Sequence, residues 1–324
     1  MKAMLVKENE ALVWSEVADP VIGEDEVLVK IRAAGVNRAD LLQRQGKYPS
    51  PPGCPEWMGL EIAGEVAACG SAVSKWQVGD RVCALLGGGG YAQYVAVKED
   101  MCMPIPQGLT MVQAAALPEA YATSYLNLFL EGHLQPGQTA FIPAGASGLA
   151  SVAIPLAKAF GARVITSVRK AQQVDKLLPL GADRIILTTQ ESVEDALAQE
   201  EANGNPVNVS MDCLCGETLG KSLPYMARYG YWIVISTLAG TETNIQLRPL
   251  LTKGLHLVGS TLRSRTPAFK AQLLAELTEK VWPLLESKTI VPSICAILPM
   301  EQAEEAHALL QRGDQIGKVV LTLN

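Results

Sequence analysis

The chain has 324 residues, 48% of them hydrophobic and 19% charged, with a formal net charge of −6. That length suits about two domains, and the acidic balance without a basic block argues against nucleic acid or an anionic membrane surface as the main partner. No apolar run reaches bilayer-spanning length, and Met1-Lys2-Ala3-Met4-Leu5-Val6-Lys7-Glu8 lacks the apolar core of a signal peptide, so a cytoplasmic enzyme is expected.

Residues 1–17 read as two short strands around Glu8-Asn9-Glu10, and Pro20 to Glu26 as a polar connector. Val27 to Ala34 alternates as a half-buried strand. Asn37 caps a short helix through Gln45, and Gly46 to Pro55 is a Pro- and Gly-rich loop containing Tyr48. Further strands follow at Gly59–Ala68, Arg81–Leu86 and Tyr91–Val97, the last after four glycines at 87–90. Many short strands between turns predict a compact antiparallel β-domain or barrel. The glycine run leads into a strand and lacks a following Lys-Ser/Thr, so it is not read as a phosphate loop. Seven cysteines (54, 69, 83, 102, 213, 215 and 295) are scattered without a C-x-x-C pair, which suits reduced thiols. Cys213 and Cys215 fall near a strand end and read as small buried hydrophobes.

Composition changes near Thr110. Met111 to Leu117 and Tyr121 to Leu130 are helical in pattern, broken at Pro118. Thr139 to Pro143 then reads as a buried strand, Ala144-Gly145-Ala146-Ser147-Gly148 as a turn of small residues, Leu149 to Phe160 as a helix and Val164 to Val168 as a second strand. Such a βαβ unit presents bare amides at a helix N-terminus, where a pyrophosphate can sit if no side chain blocks it. Gly145, Gly148 and Ala150 are small, with Ser147 where many dinucleotide-binding turns carry glycine. The same residues would also serve a tight turn with no ligand. NAD-binding folds place an acidic residue about 20 residues beyond the turn. Val164 to Gln173 has no Asp or Glu but has Ser167, Arg169 and Lys170, which suit the 2′-phosphate of NADPH or a solvated loop end. Pro155 lies too deep for a first-turn proline, and an interior proline costs about 3 kcal/mol, so a kink or a displaced helix start is expected.

Ala171 to Leu180 is helical up to Pro179, Arg184 to Leu187 is a third strand, Glu191 to Ala202 a helix, and Val207 to Asp212 a fourth strand. Thr218 to Ala227 is helical, followed by strands at Tyr231–Ser236 and Leu255–Ser260. That alternation predicts a doubly wound sheet. From Pro267 a long helix runs to about Leu285, then come a strand at Pro292–Leu298, a helix at Met300–Gln311 and a last strand at Gly317–Leu323. These late strands are expected to return to the β-domain.

The order of elements resembles the medium-chain dehydrogenase/reductase superfamily. The carrying residues are Ala34-Gly35-Val36-Asn37-Arg38-Ala39-Asp40-Leu41, Gln43-Arg44-Gln45-Gly46-Lys47-Tyr48-Pro49 and Gly59-Leu60-Glu61-Ile62-Ala63-Gly64-Glu65-Val66. Gly79-Asp80-Arg81-Val82, Ala114-Ala115-Ala116-Leu117-Pro118-Glu119-Ala120 and Ile316-Gly317-Lys318-Val319-Val320-Leu321 extend it over essentially the full length. Within the superfamily the chain resembles the zinc-free, zeta-crystallin-like quinone oxidoreductases, closest to the stress-inducible branch. The resemblance implies an α/β protein with a GroES-like β-rich catalytic domain (1–119 and 265–324), interrupted by a doubly wound Rossmann NADP-binding domain (120–264). It implies an active site in the cleft between them and a homodimer paired through the Rossmann sheet edge, roughly Leu247 to Leu262.

Zinc-dependent relatives carry a Cys near Asn37, a His before the glutamate where this chain has Gly59-Leu60-Glu61, and a four-Cys lobe that is absent here. His133, His256 and His307 fall in a loop, the sixth strand and the late helix. Without the Lewis acid that polarises an alcohol or ketone, electron-poor quinones and activated enones remain as acceptors. The resemblance makes Tyr48 and Asn37 the catalytic candidates, Tyr48 by bonding the quinone oxygen or by positioning the ring, and it places Asn37, Thr123, Leu238 and Lys318 in the nicotinamide region. It matches Ser147 to a serine that contacts the cofactor at the phosphate turn, where the motif itself places Gly145, Gly148 and Leu149, and it leaves Arg263, near the cleft, to an anionic acceptor or cofactor. The expected activity is NADPH:quinone reduction. The alternatives are reduction of α,β-unsaturated carbonyls or enoyl thioesters, and a nucleotide-binding redox-sensing or structural protein with little turnover.

Overall fold

The computed structural model describes residues 1–313 and 316–323. The chain forms two compact units, Met1–Ala122 with Arg263–Asn324, and Thr123–Leu262.

The first unit begins with β1 (Lys2–Val6), β2 (Leu12–Glu16), β3 (Glu26–Val36), α1 (Arg38–Arg44), β4 (Glu61–Cys69), β5 (Arg81–Leu85), β6 (Tyr94–Lys98) and β7 (Cys102–Pro104). Then come α2 (Met111–Ala114) and α3 (Pro118–Tyr125). The helical pattern is broken ahead of Pro118, as expected. Pro118 itself opens α3, three residues before the expected start, where its missing N–H would have had no helical partner. Strand β3 is the hub. It pairs antiparallel with β4, β6 and the chain's last strand. Its first half alternates, with Val27, Val29 and Ile31 buried, and its last four residues are buried on both faces. At Gly35 a Cβ would overlap Glu61 Oε1 and the Ala115 carbonyl, so glycine lets three segments converge where β3 runs into Asn37. Tyr91, expected to open a strand, precedes β6. It is fully buried and held by backbone bonds to Met58 and Met4.

The second unit holds β8 (Thr139–Ile142), α4 (Ala150–Ala159), β9 (Arg163–Val168), α5 (Val174–Leu177), β10 (Arg184–Leu187), α6 (Val193–Ala202) and β11 (Val207–Asp212). It closes with α7 (Glu217–Ser222), β12 (Met226–Val234), α8 (Leu247–Lys253) and β13 (His256–Gly259). Its six strands lie in the order β10-β9-β8-β11-β12-β13, all parallel. The order reverses between β8 and β11, the point where open α/β sheets bind ligands beyond the carboxyl ends of their strands. Phe141, Ile165, Ile186 and Trp232 pack with Leu197 and Leu219 into one core of the unit.

Two expectations fail here for local reasons. The helix foreseen over Thr218–Ala227 stops at Ser222, and Met226 starts β12, since Leu223 and Met226 are buried in the core cluster. The helix after the small-residue turn starts at Ala150, with no displacement, and continues through Pro155 to Ala159. Seven of its ten residues are buried, and that packing outweighs the proline.

The chain returns to the first unit with α9 (Pro267–Lys280), α10 (Trp282–Glu286), β14 (Ile294–Pro299), α11 (Ala303–Arg312) and β15 (Lys318–Thr322). The helix expected as far as Leu285 is divided at Val281. Strand β15 completes the antiparallel sheet beside β3, and β14 adds parallel to β15 at its edge.

Candidate active site

Asn37 follows β3 and stands at the N-cap of α1. Its backbone N–H donates to Asp40 Oδ2 at 2.8 Å. Its side-chain Nδ2 donates to Glu61 Oε1 at 2.9 Å, and its Oδ1 accepts from Lys318 Nζ at 2.6 Å. Lys318, the first residue of β15, also donates to the Val36 carbonyl at 3.2 Å and pairs with Glu61 Oε1 at 2.7 Å. The second Glu61 oxygen accepts the Glu119 N–H at 2.9 Å. Lys318 and Glu61 are only 4% and 0% exposed. An ammonium has three N–H donors, and Lys318 uses its own in two hydrogen bonds beside the ion pair with Glu61. Burying this ion pair is tolerable because every polar atom is engaged.

A second polar group lies behind it. Asp40 is fully buried and also accepts from the Gly59 N–H at 3.2 Å and the Tyr91 hydroxyl at 3.0 Å. The Tyr91 hydroxyl lies 3.4 Å from His307 Nε2 on α11. Burial pushes Asp40 up to about 6, against the pull of its three donors and Lys318. Burial, and then Arg44, push His307 down to about 4. These shifts act oppositely on stability. Below pH 6.5 the unfolded chain protonates its histidine while native His307 refuses the proton, so stability falls as pH falls toward about 4. Native Asp40 takes up a proton near 6, before the unfolded aspartate does near 3.8, so stability rises as pH falls through that window. His307→Leu is therefore expected to gain about 2 kcal/mol relative to the parent on going from about pH 7 to about pH 4.5. Urea unfolding at the two pH values reads that difference, and equal differences at both would refute it.

Tyr48 is half-buried in the loop after α1. Burial and the Glu119 charge push its phenol ionisation up, and the Arg263 charge opposes them. The Arg263 guanidinium lies 4.7 Å from the ring centroid. Arg263 does not present the free anion site expected of it. Its fork is spent on the carbonyls of Gly87 and Tyr48 and on Gln43 Oε1. The Tyr48 loop lines a cavity of about 450 Å³ with Gln43, Pro49, Ser50, Pro51 and Cys54.

In the second unit the turn after β8 carries Gly145, Ser147, Gly148 and Leu149. The Gly145 N–H donates to the Ser167 carbonyl at 2.8 Å, which ties the turn to the end of β9. A Cβ at Gly145 would overlap the Thr166 hydroxyl. Ser147 Oγ accepts the Ala150 N–H at 3.1 Å and so caps the first turn of α4. The N–H groups of Gly148 and Leu149 have no hydrogen-bond partner among the described residues. Two unspent amides at the start of a ten-residue helix fit a phosphate anion. Ser167 is buried at the end of β9, with Arg169 and Lys170 exposed just beyond. Leu238 is 42% exposed, and its N–H donates to the Cys213 carbonyl at 3.1 Å. Thr123 lies on α3 and its carbonyl accepts from Asn127 Nδ2 at 2.7 Å. At the ends of β12 and β13 a cavity of about 340 Å³ is lined by Val234, Ser236, Gly259, Ser260 and Thr261. The buried thiol of Cys215 is pushed up to about 12 by burial and the Asp212 charge, which leaves it inert.

Among the described residues, no three or more His, Cys, Asp or Glu are grouped to hold a metal ion. Sequence reasoning named Asn37 and Lys318 separately but missed that they touch, and it missed Asp40, Tyr91 and His307 as a connected group. The Asn37–Asp40 spacing of an N-cap and its third helical residue was the one available signal.

The sequence matches the family models for the alcohol dehydrogenase GroES-like domain over residues 23–107 and the zinc-binding dehydrogenase over residues 148–279. It is 33% identical to a quinone oxidoreductase-like protein 2 homolog of Nematostella vectensis, over 97% of this chain and 89% of that protein. The fold is similar to Escherichia coli quinone oxidoreductase complexed with NADPH, at TM-score 0.86 and 27% identity over 99% of both chains. It is also similar to the apo form of JamJ enoyl reductase, at TM-score 0.87 and 25% identity, over 100% of this chain and 99% of that one.

Proposed function

Because the chain belongs to the quinone oxidoreductase-like group of the medium-chain dehydrogenase/reductase superfamily, we propose that it is an oxidoreductase that reduces quinones with NADPH and needs no catalytic zinc. The observation that carries this reading is the closed set of Asn37, Glu61 and Lys318. Asn37 and Glu61 are engaged by each other and by the Lys318 ammonium. With no metal to polarise a carbonyl, the acceptor must already be electron-poor.

In this reading Gly145, Ser147, Gly148 and Leu149 hold the pyrophosphate, and Ser167, Arg169 and Lys170 hold the 2′-phosphate. Thr123, Leu238 and Asn37 orient the nicotinamide, and Lys318 acts there through Asn37. The bound cofactor supplies the hydride, and the protein supplies orientation and a polar environment. The Tyr48 hydroxyl donates a hydrogen bond to the acceptor oxygen as negative charge develops on it. Burial keeps that hydroxyl protonated at neutral pH.

The fold shared with an enoyl reductase supports a second reading, reduction of an α,β-unsaturated carbonyl. Following NADPH oxidation with 1,2-naphthoquinone and with an alkenal separates the two. Faster turnover of the quinone is expected. Faster turnover of the alkenal would favour the second reading, and tight NADPH binding without turnover of either would favour a nucleotide-binding protein.

We also propose a cytoplasmic homodimer paired through the edge of the six-stranded sheet. Leu247, Leu251 and Leu257 on α8 and β13 are 71%, 81% and 43% exposed, apolar side chains that a second copy at this edge would cover. Leu251→Glu is expected to shift the light-scattering mass from dimer to monomer, and an unchanged mass would refute this interface.

A further inference from the structure

We propose that Arg263 is the positioning residue for Tyr48. It locks the loop and ring that present the hydroxyl. The proposal rests on the assignment of Tyr48 to the acceptor made above. The loop cannot hold itself. It contains Pro49, Pro51, Pro52 and Pro55, which have no backbone N–H. Gly46 and Gly53 sit at φ 69° and 84°. Between Gly46 and Glu56 its internal backbone ties reduce to Cys54 N–H on the Pro51 carbonyl, so its carbonyls need donors from elsewhere.

Arg263 provides them. Nη1 donates to the Tyr48 carbonyl at 3.1 Å, and Nη2 reaches Ser50 Oγ at 3.4 Å. Nη2 also donates to Gln43 Oε1 at 2.9 Å, and the Gln43 amide nitrogen donates onward to Ser50 Oγ at 2.9 Å and the Glu56 carbonyl at 2.8 Å. Nε donates to the Gly87 carbonyl at 2.9 Å, which anchors the guanidinium to the segment after β5. The guanidinium that makes these bonds also lies over the Tyr48 ring, 4.7 Å from its centroid. Arg263 is itself aimed from behind, because its carbonyl accepts from Lys270 Nζ on α9 at 2.7 Å. One planar group thus clamps the backbone and the ring of the same residue. A lysine carries a compact ammonium with no planar fork, so it cannot reach these spread-out acceptors and lie over the ring at once.

The test combines a kinetic cycle with a spectroscopic probe of Tyr48. Arg263→Lys is expected to lower kcat for the quinone by roughly 100-fold while the Kd for NADPH changes less than about twofold. In the Tyr48→Phe background the same change is expected to cost less than about threefold, because the group it positions has gone. Equal losses in both backgrounds would overturn the proposal. Fluorotyrosine placed at 48 should give one narrow fluorine resonance in the parent and a shifted or broadened one in Arg263→Lys. An unmoved resonance would also overturn it. That readout needs no substrate, so a wild-type protein with no quinone turnover would defeat the functional reading while the positioning claim is still decided. Should Arg263→Lys fail to fold, Gln43→Met removes one acceptor of the fork and is expected to shift the same resonance in the same direction. No shift there would overturn the proposal too.

Discussion

Lys318→Met is expected to cost about 3–5 kcal/mol of folding stability, the loss seen when one partner of a buried ion pair is removed. The substitution keeps the length and the apolar stem of the side chain but deletes its only cation. Glu61, fully buried, then loses its counter-ion, and the Val36 carbonyl and Asn37 Oδ1 lose their donor. A freed Asn37 amide can rotate, so activity should fall with stability. The double variant Lys318→Met with Glu61→Gln removes both charges and should unfold nearer the parent than Lys318→Met alone does. Urea unfolding of the three proteins checks this, and a Lys318→Met loss under about 1 kcal/mol would mean the pair is as weak as a surface salt bridge.

Asp212→Ala carries the second large expected effect. Asp212 ends β11 and is 2% exposed. Its Oδ1 accepts the N–H groups of Leu214 at 2.8 Å and Cys215 at 3.0 Å, and its Oδ2 accepts Trp232 Nε1 at 3.0 Å. Each buried donor left without an acceptor costs about 1–3 kcal/mol, so a loss of about 3 kcal/mol or more is expected. The carboxylate also holds a turn in which Cys215 and Gly216 adopt φ 56° and 64°. That turn supports the segment after β12, because the Cys213 and Leu214 carbonyls accept the Leu238 and Ala239 N–H groups. NADPH affinity should therefore weaken by about tenfold, the equivalent of about 1.4 kcal/mol. Asp212→Asn should cost less, since it keeps one acceptor oxygen. Calorimetric titration and denaturation read the two effects, and unchanged values in Asp212→Ala would refute them.

The periodic and punctuated parts of the molecule were legible in its residues. Arg184–Leu187 and Val207–Asp212 form strands over the expected ranges, because short β-branched runs between turn residues permit little else. The late strands join the first sheet, as the resemblance implied. What escaped was decided by partners distant in sequence. Lys318 lies 281 residues from Asn37, and no local pattern marks a lysine for burial. Arg263 shows an anion-binding residue type, yet its donors are consumed by carbonyls as far away as Gly87, 176 positions earlier. Pro118 marks the break it was read as and starts the next helix, whereas Pro155 misled, because it is carried within a helix buried on most of its surface.

The most direct test of the account is NADPH oxidation by 1,2-naphthoquinone, measured on protein stripped of metal by exhaustive chelation. Full activity after stripping, with no gain on adding zinc, is the predicted result. Activity that disappears on stripping and returns with zinc would contradict a zinc-independent reaction beside the closed set of Asn37, Glu61 and Lys318.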